Sequence, residues 1–469
     1  MQSCPSALHW VFHRFRGCFT APGYEHFVQL MMGWILVRGT HTISRMLHAL
    51  RRLGATFHHA SVYRFLSQGR WSSDRVGRVV LELVRLWLPE AVVAIVDDTL
   101  CTKSGRQLFG VGIHHDVTRS TYGRQGRRIV VSSPGHSWVI LAIHLPCPWD
   151  PQRGWAVPVL SRLYRSPGRC PSKEYRKRSE LAAEMIGLLG AWLGSERRLY
   201  ITGDAAYCCK TVIRSLPENV HLVGPIPLGA ALYETAGRPT PRGRPRRKGY
   251  RIANPRTRLE RHRGFETREV VLYAQPVQVQ FTSLVCVWYP SASSHPVRVV
   301  ITRDPRAPRD GRAYVSTDPS LSPEEVLALY ALRWRLEVTF RDLKQELGFG
   351  DPRNGWWRRR HGERDNPCRP PHRPTVHPGR KAVERTAPLA GLAYAIILCW
   401  YLNYGNPTND LACAQASNPW YRHKRHVSFN DMLTACRRKI GQEYFRRMRL
   451  PKRLHQIAEN LLELGLVAA

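Results

Sequence analysis

The chain has 469 residues, 43% of them apolar or aromatic, enough to fill a large core and divide into two to four domains. Lys and Arg number 71 against 35 acidic residues, a formal charge of +36, and such an excess calls for a polyanionic partner, nucleic acid first and an acidic membrane surface second. Twelve cysteines without a CxxC pair exclude a disulfide framework or zinc ribbon, and His9, His13, Arg14 and Arg16 break the apolar run a signal peptide needs, so a reduced cytoplasmic protein is expected.

Residues of roughly 25–90 read as helical. Ile43, Met46, Leu47, Leu50 and Leu53 recur at helical spacing before Gly54, and a short helix over Ala60–Leu66 follows with Arg64 facing outward. Helix, turn, helix in a basic chain fits a DNA reader, and it equally fits any small helical bundle. Ala91–Thr99 is an apolar strand running into Asp97 and Asp98. Strand-like stretches follow at Phe109–His115 and Ser137–Leu145, then a helix over Leu181–Leu193, then a strand within Arg198–Tyr207 with Gly203 and Asp204 at its end. Strands, helix and strand predict an α/β layer.

From Leu216 to Pro319 the texture changes. Gly237–Arg251 is rich in Pro, Gly and Arg, whereas Val270–Tyr289 and Val297–Asp304 are rich in β-branched and aromatic residues, which predicts a β-rich insertion. A helix then opens at Ser322 as N-cap, with Pro323 at its first position and Glu325 completing a capping box; Gly348 stops it. Its core stripe is Leu329, Leu332, Leu336, Phe340, Leu343 and Leu347. Arg358–Lys381 is a polar, proline-rich loop. Pro388–Leu402 is apolar but too short to span a bilayer, so it reads as a buried helix before a basic helical tail. The expected division is 1–88 helical and DNA-binding, 89–214 core, 215–320 β-rich insertion, 321–405 core with a basic loop at 358–381, and 406–469 helical tail. No internal repeat interrupts it.

On the helix opened by Ser322, Tyr330, Arg333, Glu337 and Lys344 stand at offsets 0, 3, 7 and 14. At about 100° per residue they fall within about 60° of one another. A carboxylate flanked by cations and a phenol suits a metal ion holding a phosphodiester. Two strand-end carboxylates and a third on a helix supply the hard oxygen ligands that Mg²⁺ and Mn²⁺ prefer, and a two-ion site of that kind performs phosphoryl transfer. Taken singly, each piece has a plain structural reading. A strand-end Asp is often a cap, and a mixed-charge helix is usually a solvated face. His114-His115-Asp116 lacks the second half of a zinc pattern. Trp356-Trp357 before Arg358–Arg360 serves as a loop anchor as readily as a nucleic-acid contact.

Ser316–Asp351 resembles the signature block of the DDE transposases of bacterial insertion sequences, in the group with a Y-(2)-R-(3)-E-(6)-K spacing and a β-strand insertion before the last acid. Val96–Thr99 is similar to its first-acid strand, Ile201–Tyr207 to its second, and Glu384–Tyr401 to the helix that follows the block. The resemblance implies an RNase H-like core and cut-and-paste DNA strand transfer by a homodimer, with Mg²⁺ or Mn²⁺, two ions, held by Asp97, Asp204 and Glu337 as catalytic acids. Asp97 is preferred to Asp98 because the family pattern is acid, any residue, then Ser or Thr, and Thr99 supplies it. The resemblance further implies DNA contacts from Tyr330, Arg333 and Lys344, and from Trp288 as the aromatic that would hold a flipped base. The partners implied are terminal inverted repeats and target DNA, with a nucleoid location and no membrane. Two other readings stand beside it: a nuclease of the same fold that cuts without joining, and a decayed or domesticated DNA-binding protein without catalysis.

Overall fold

The structure, a computed structural model, describes residues 6–52, 54–55, 57–105, 108–122, 128–236, 246–261, 264–304, 307–355 and 379–447. Leu53, most of the Gly237–Arg251 stretch, Trp356-Trp357 and most of the Arg358–Lys381 loop lie outside them.

Five strands form the core of one sheet: β1 (Val92–Thr102), β2 (Ser132–Cys147), β3 (Asp150–Tyr164), β4 (Leu199–Gly203) and β5 (Val220–Ile226), in the spatial order β3-β2-β1-β4-β5. β1 runs antiparallel to β2, pairing Asp97 with Ile140, and parallel to β4, pairing Val96 with Gly203. β4 and β5 are parallel. This is the expected RNase H-like α/β core. Its parallel strands are apolar nearly throughout because both faces are covered; Leu199–Gly203 is buried at every position.

The strands of the insertion continue this sheet. They are β6 (Glu266–Leu272), β7 (Gln275–Val287), β8 (Pro296–Asp304) and β9 (Ala307–Ser316). β9 pairs antiparallel with β5, Val315 opposite Gly224, and the meander of β9, β8, β7 and β6 extends outward from there. β5 itself lies within the stretch 215–320, so that stretch contributes the fifth core strand as well as the extension.

Helices α1 (Ser6–Arg14), α2 (Ala21–Leu36), α3 (Ile43–Arg52), α4 (His59–Ser67) and α5 (Ser73–Val84) make up the N-terminal region. In α3, Ile43, Met46, Leu47 and Leu50 are buried as their spacing predicts. Helix α6 (Arg178–Leu193) crosses from β3 to β4. The expected single helix after Ser322 is two: α7 (Pro323–Ala331) and α8 (Trp334–Gln345). Its capping box forms as predicted, with Ser322 Oγ accepting from Glu325 N at 3.2 Å and Glu325 Oε2 accepting from Ser322 N at 2.7 Å. Helix α9 (Arg380–Tyr404) contains the expected buried segment and extends it at both ends. By length and composition α9 could cross a membrane, yet it is the central core helix, packed between β3 and helices α1, α2, α4 and α5.

Arg385 of α9 fastens the N-terminal helices to the core. Its Nη1 donates to Leu66 O at 3.1 Å and its Nη2 to Trp71 O at 2.7 Å, while the guanidinium lies 4.7 Å from the Trp71 ring centroid. A buried charge with two carbonyl acceptors and an aromatic face is costly to truncate, because the carbonyls lose their donors. Arg385→Met is expected to lower stability by about 2–4 kcal/mol, seen as an earlier urea midpoint. A midpoint within error of wild type would show that the helices do not depend on this anchor.

Candidate active site

The strand register places the first two acids side by side. Because Val96 pairs with Gly203 in the parallel β1–β4 ladder, the next residues, Asp97 and Asp204, stand at the same level; β4 ends at Gly203, whereas β1 runs on to Thr102, so Asp97 lies within its strand and not at the strand end the sequence predicted. Gly203 is needed there: a Cβ would come within 2.9 Å of Val96 Cγ1. Asp204 then turns the chain, its Oδ1 accepting from Ala206 N at 2.9 Å.

Arg333 joins Asp97 to the helix. Its Nη1 donates to Asp97 Oδ2 at 2.8 Å and its Nη2 meets Glu337 Oε1 at 2.6 Å, one turn along α8. Arg333 occupies the break between α7 and α8. There Arg333 N bonds Tyr330 O, Arg335 N bonds Leu332 O and Leu336 N bonds Arg333 O, all three-residue steps of a 3₁₀ turn. Tyr330 is half-buried; its ring centroid is 4.7 Å from that of Tyr314 on β9, and its hydroxyl interacts with Arg333. Lys344, at the other end of α8, is exposed and lines a cleft of about 1020 Å³ together with Asp98, Lys103, Arg119, Asp351 and Arg353.

Asp97, Asp204, Arg333 and Glu337 are therefore brought together, with Tyr330 behind Arg333 and Lys344 on the neighbouring cleft. Trp288 is not part of this group. It is 6% exposed and packed in the main core at the start of a short helix, Tyr289–Ala292, so its ring is not presented to a base. That expectation is corrected. Two exposed aromatics are Trp334, directly after Arg333, and Tyr273, in the β6–β7 turn near Tyr330.

The electrostatics follow from crowding. Burial first, and the charge of Asp204 second, push Asp97 up to about 7 despite Arg333. Asp204 is also raised, by burial and then by Asp98. Among the described residues, no three His, Cys, Asp or Glu side chains form a group that could hold a metal ion as they stand; Arg333 lies between Asp97 and Glu337 as their counter-charge.

Asp98 has a different set of partners. Tyr207 Oη donates to its Oδ1 at 3.0 Å, and Arg178 Nε lies 3.3 Å from its Oδ2 while stacking 4.0 Å from the Tyr164 ring centroid. Asp97, not Asp98, shares Arg333 with Glu337. Nothing in the sequence singled out Arg178 from the many other arginines; Tyr207 follows Asp204 in the strand-end motif, which was its only signal. The His114-His115-Asp116 cluster is the end of a short strand, Gly112–His115, paired with β2, and the start of the turn that follows it. His114 is buried, His115 bonds Ser120, and Asp116 accepts from Thr118 and from Arg119 N.

Set against known families, residues 14–278 match the model described as DDE superfamily endonuclease. The match takes in Asp97 and Asp204 and ends before Glu337. No curated protein matches the chain.

Asp97 sets a sign for stability. A carboxyl raised above its ordinary value stabilises the fold below about pH 4, and that contribution is lost as pH rises through about 7. At pH 8 in EDTA, Asp97→Asn is expected to raise stability by about 1–3 kcal/mol, the gain shrinking as pH falls and vanishing below about pH 4, and added Mn²⁺ should raise the Tm of wild type more than that of the variant. A loss of Tm at pH 8 in EDTA would contradict this account.

Proposed function

The chain belongs to the DDE superfamily of endonucleases, and from that premise we propose that it is a transposase that cuts DNA at the ends of an insertion sequence and joins those ends to target DNA. The observation that carries the reading is the meeting of Asp97, Asp204 and Glu337 around Arg333.

Asp97 and Asp204 suit Mg²⁺ or Mn²⁺. They are hard oxygen donors at the same level of adjacent strands, and the elevation of Asp97 marks an acid pair short of positive charge. Glu337, held through Arg333, would be the third ligand, and the acids would take two ions. Ions bound there supply the charge that activates a water or 3′-hydroxyl and stabilises the departing oxygen. The protein's own residues do the rest. Arg333 holds Asp97 and Glu337 close together through its two Nη groups, and it is free to move to phosphate when the acids gain another cation. Tyr330 orients Arg333 from behind. Lys344, Arg119 and Arg353 give the neighbouring cleft a basic wall for the DNA backbone. The outward residues of α3 and α4, Arg45, His48, Arg51 and Arg64, offer a surface for recognising the element's ends. Two ends require two active sites, which a homodimer provides.

The test is linear DNA carrying the element's own terminal repeats. With Mg²⁺ the wild type is expected to cut at the repeats and yield joined product, and Glu337→Gln to cut about a hundredfold more slowly or less. Equal cutting by both would sink the assignment; cutting without joined product would make the protein a nuclease only. Lys344→Ala is expected to weaken binding to the repeats and lower the slope of log K against log salt by about one, and an unchanged slope would remove Lys344 from the phosphate path.

A further inference from the structure

Far along the chain from the acids, the segment 420–426 turns six side chains outward: Trp420, Tyr421, Arg422, His423, Arg425 and His426. Trp420 is 74% exposed, the most open tryptophan among the described residues. The segment is held from within. Lys424 Nζ meets Asp431 Oδ2 at 2.5 Å and lies 4.6 Å from the Tyr421 ring centroid; Gln415 Nε2 donates to Lys424 O at 2.8 Å, and Tyr421 N to Asn418 O at 2.9 Å. It is also joined to the catalytic side of the fold. His426 Nδ1 lies 3.3 Å from Asp150 Oδ2 at the start of β3, next to the half-open Trp149. Arg335, two residues before Glu337, donates to Gln152 O in the same strand at 2.7 Å.

An anchored loop that exposes a large ring among cations has already met much of the ordering cost of binding. A second copy of the chain is a poor occupant, because the outward charges of the loop are all positive on a chain of formal charge +36. A polyanion fits. Arginine and histidine alone would serve a duplex through its phosphates; an open indole adds something only when a base face is offered. We infer that Trp420, with Arg422 and Arg425, forms a stacking platform for unpaired nucleotides of DNA. It is separate from the acid site and neighbours β3, the strand that α8 is tied to.

Nothing in this surface uses the acids, so binding is measured on the full chain in EDTA, where a failed cleavage assay and a failed platform are separate results. The probes are a labelled oligothymidine and a random-sequence duplex of the same length, read by fluorescence anisotropy. Trp420→Ala is expected to weaken single-strand binding about tenfold and duplex binding hardly at all, and Trp420→Phe to keep most of the affinity. Arg422→Ala with Arg425→Ala should weaken both and lower the salt slope for each. Unchanged single-strand affinity in Trp420→Ala, or equal losses on both probes, would overturn the platform; so would a change of oligomeric state in Trp420→Ala with single-strand binding intact.

Discussion

Arg333 between Asp97 and Glu337 is the contact on which the site depends. Two carboxylates at the same level of neighbouring strands and a third on a helix repel one another in a half-buried setting, and an arginine fork can bond two of them at once without losing its charge. The position of Arg333 follows from the break between α7 and α8, because a continuous helix would need no 3₁₀ turn there. The break in turn separates two packing tasks. Val326, Leu327, Leu329 and Tyr330 pack with Tyr314, Val300 and Phe281 of the insertion strands, whereas Leu336, Phe340, Leu343 and Leu347 belong to the main core.

Much of this was legible in the sequence for identifiable reasons. Asp97 and Asp204 stand out because apolar strand runs end on them, and a parallel ladder then makes their meeting a matter of register. Ser322, Pro323 and Glu325 form the expected cap because capping is local chemistry. The stripe of Tyr330, Arg333, Glu337 and Lys344 was only partly legible. Periodicity assumes one straight helix, and a 3₁₀ turn keeps right-handed helical backbone angles that no spacing rule detects. Its members therefore divide: Arg333 and Glu337 meet Asp97, Tyr330 faces Tyr314, and Lys344 faces the cleft beside Asp98.

Other features were hidden because they are tertiary. β3 carries Pro151, Gly154 and Pro158, residues that argue against a strand, and they are tolerated because, among the described residues, β3 pairs only with β2, where its register also shifts. Trp288 sits in a strand-rich insertion as an exposed ring would, but whether it is buried depends on what packs over it. Composition marked Val270–Tyr289 and Val297–Asp304 as β-rich; the turn that divides the first run into β6 and β7, the strand β9 and its pairing to β5 were not foreseen, since sequence patterns do not say which edge a meander extends.

That pairing bears on how the site works. Because β9 is hydrogen-bonded to β5, and β5 lies two strands from β1, the insertion and the acid-bearing strands belong to one continuous sheet. Tyr314 on β9 touches Tyr330, and Tyr330 reaches Arg333, so a load on the insertion strands passes through two rings to the guanidinium that holds Asp97. Asp97 itself is held in an unfavourable state, elevated by burial and by Asp204, and only a close cation relieves it. Arg333 supplies that cation at the cost of occupying the space between two acids. A second positive charge arriving at the acids would lower the need for Arg333 there, which makes the kink between α7 and α8 the place where the charge balance of the acids meets the packing of the insertion strands.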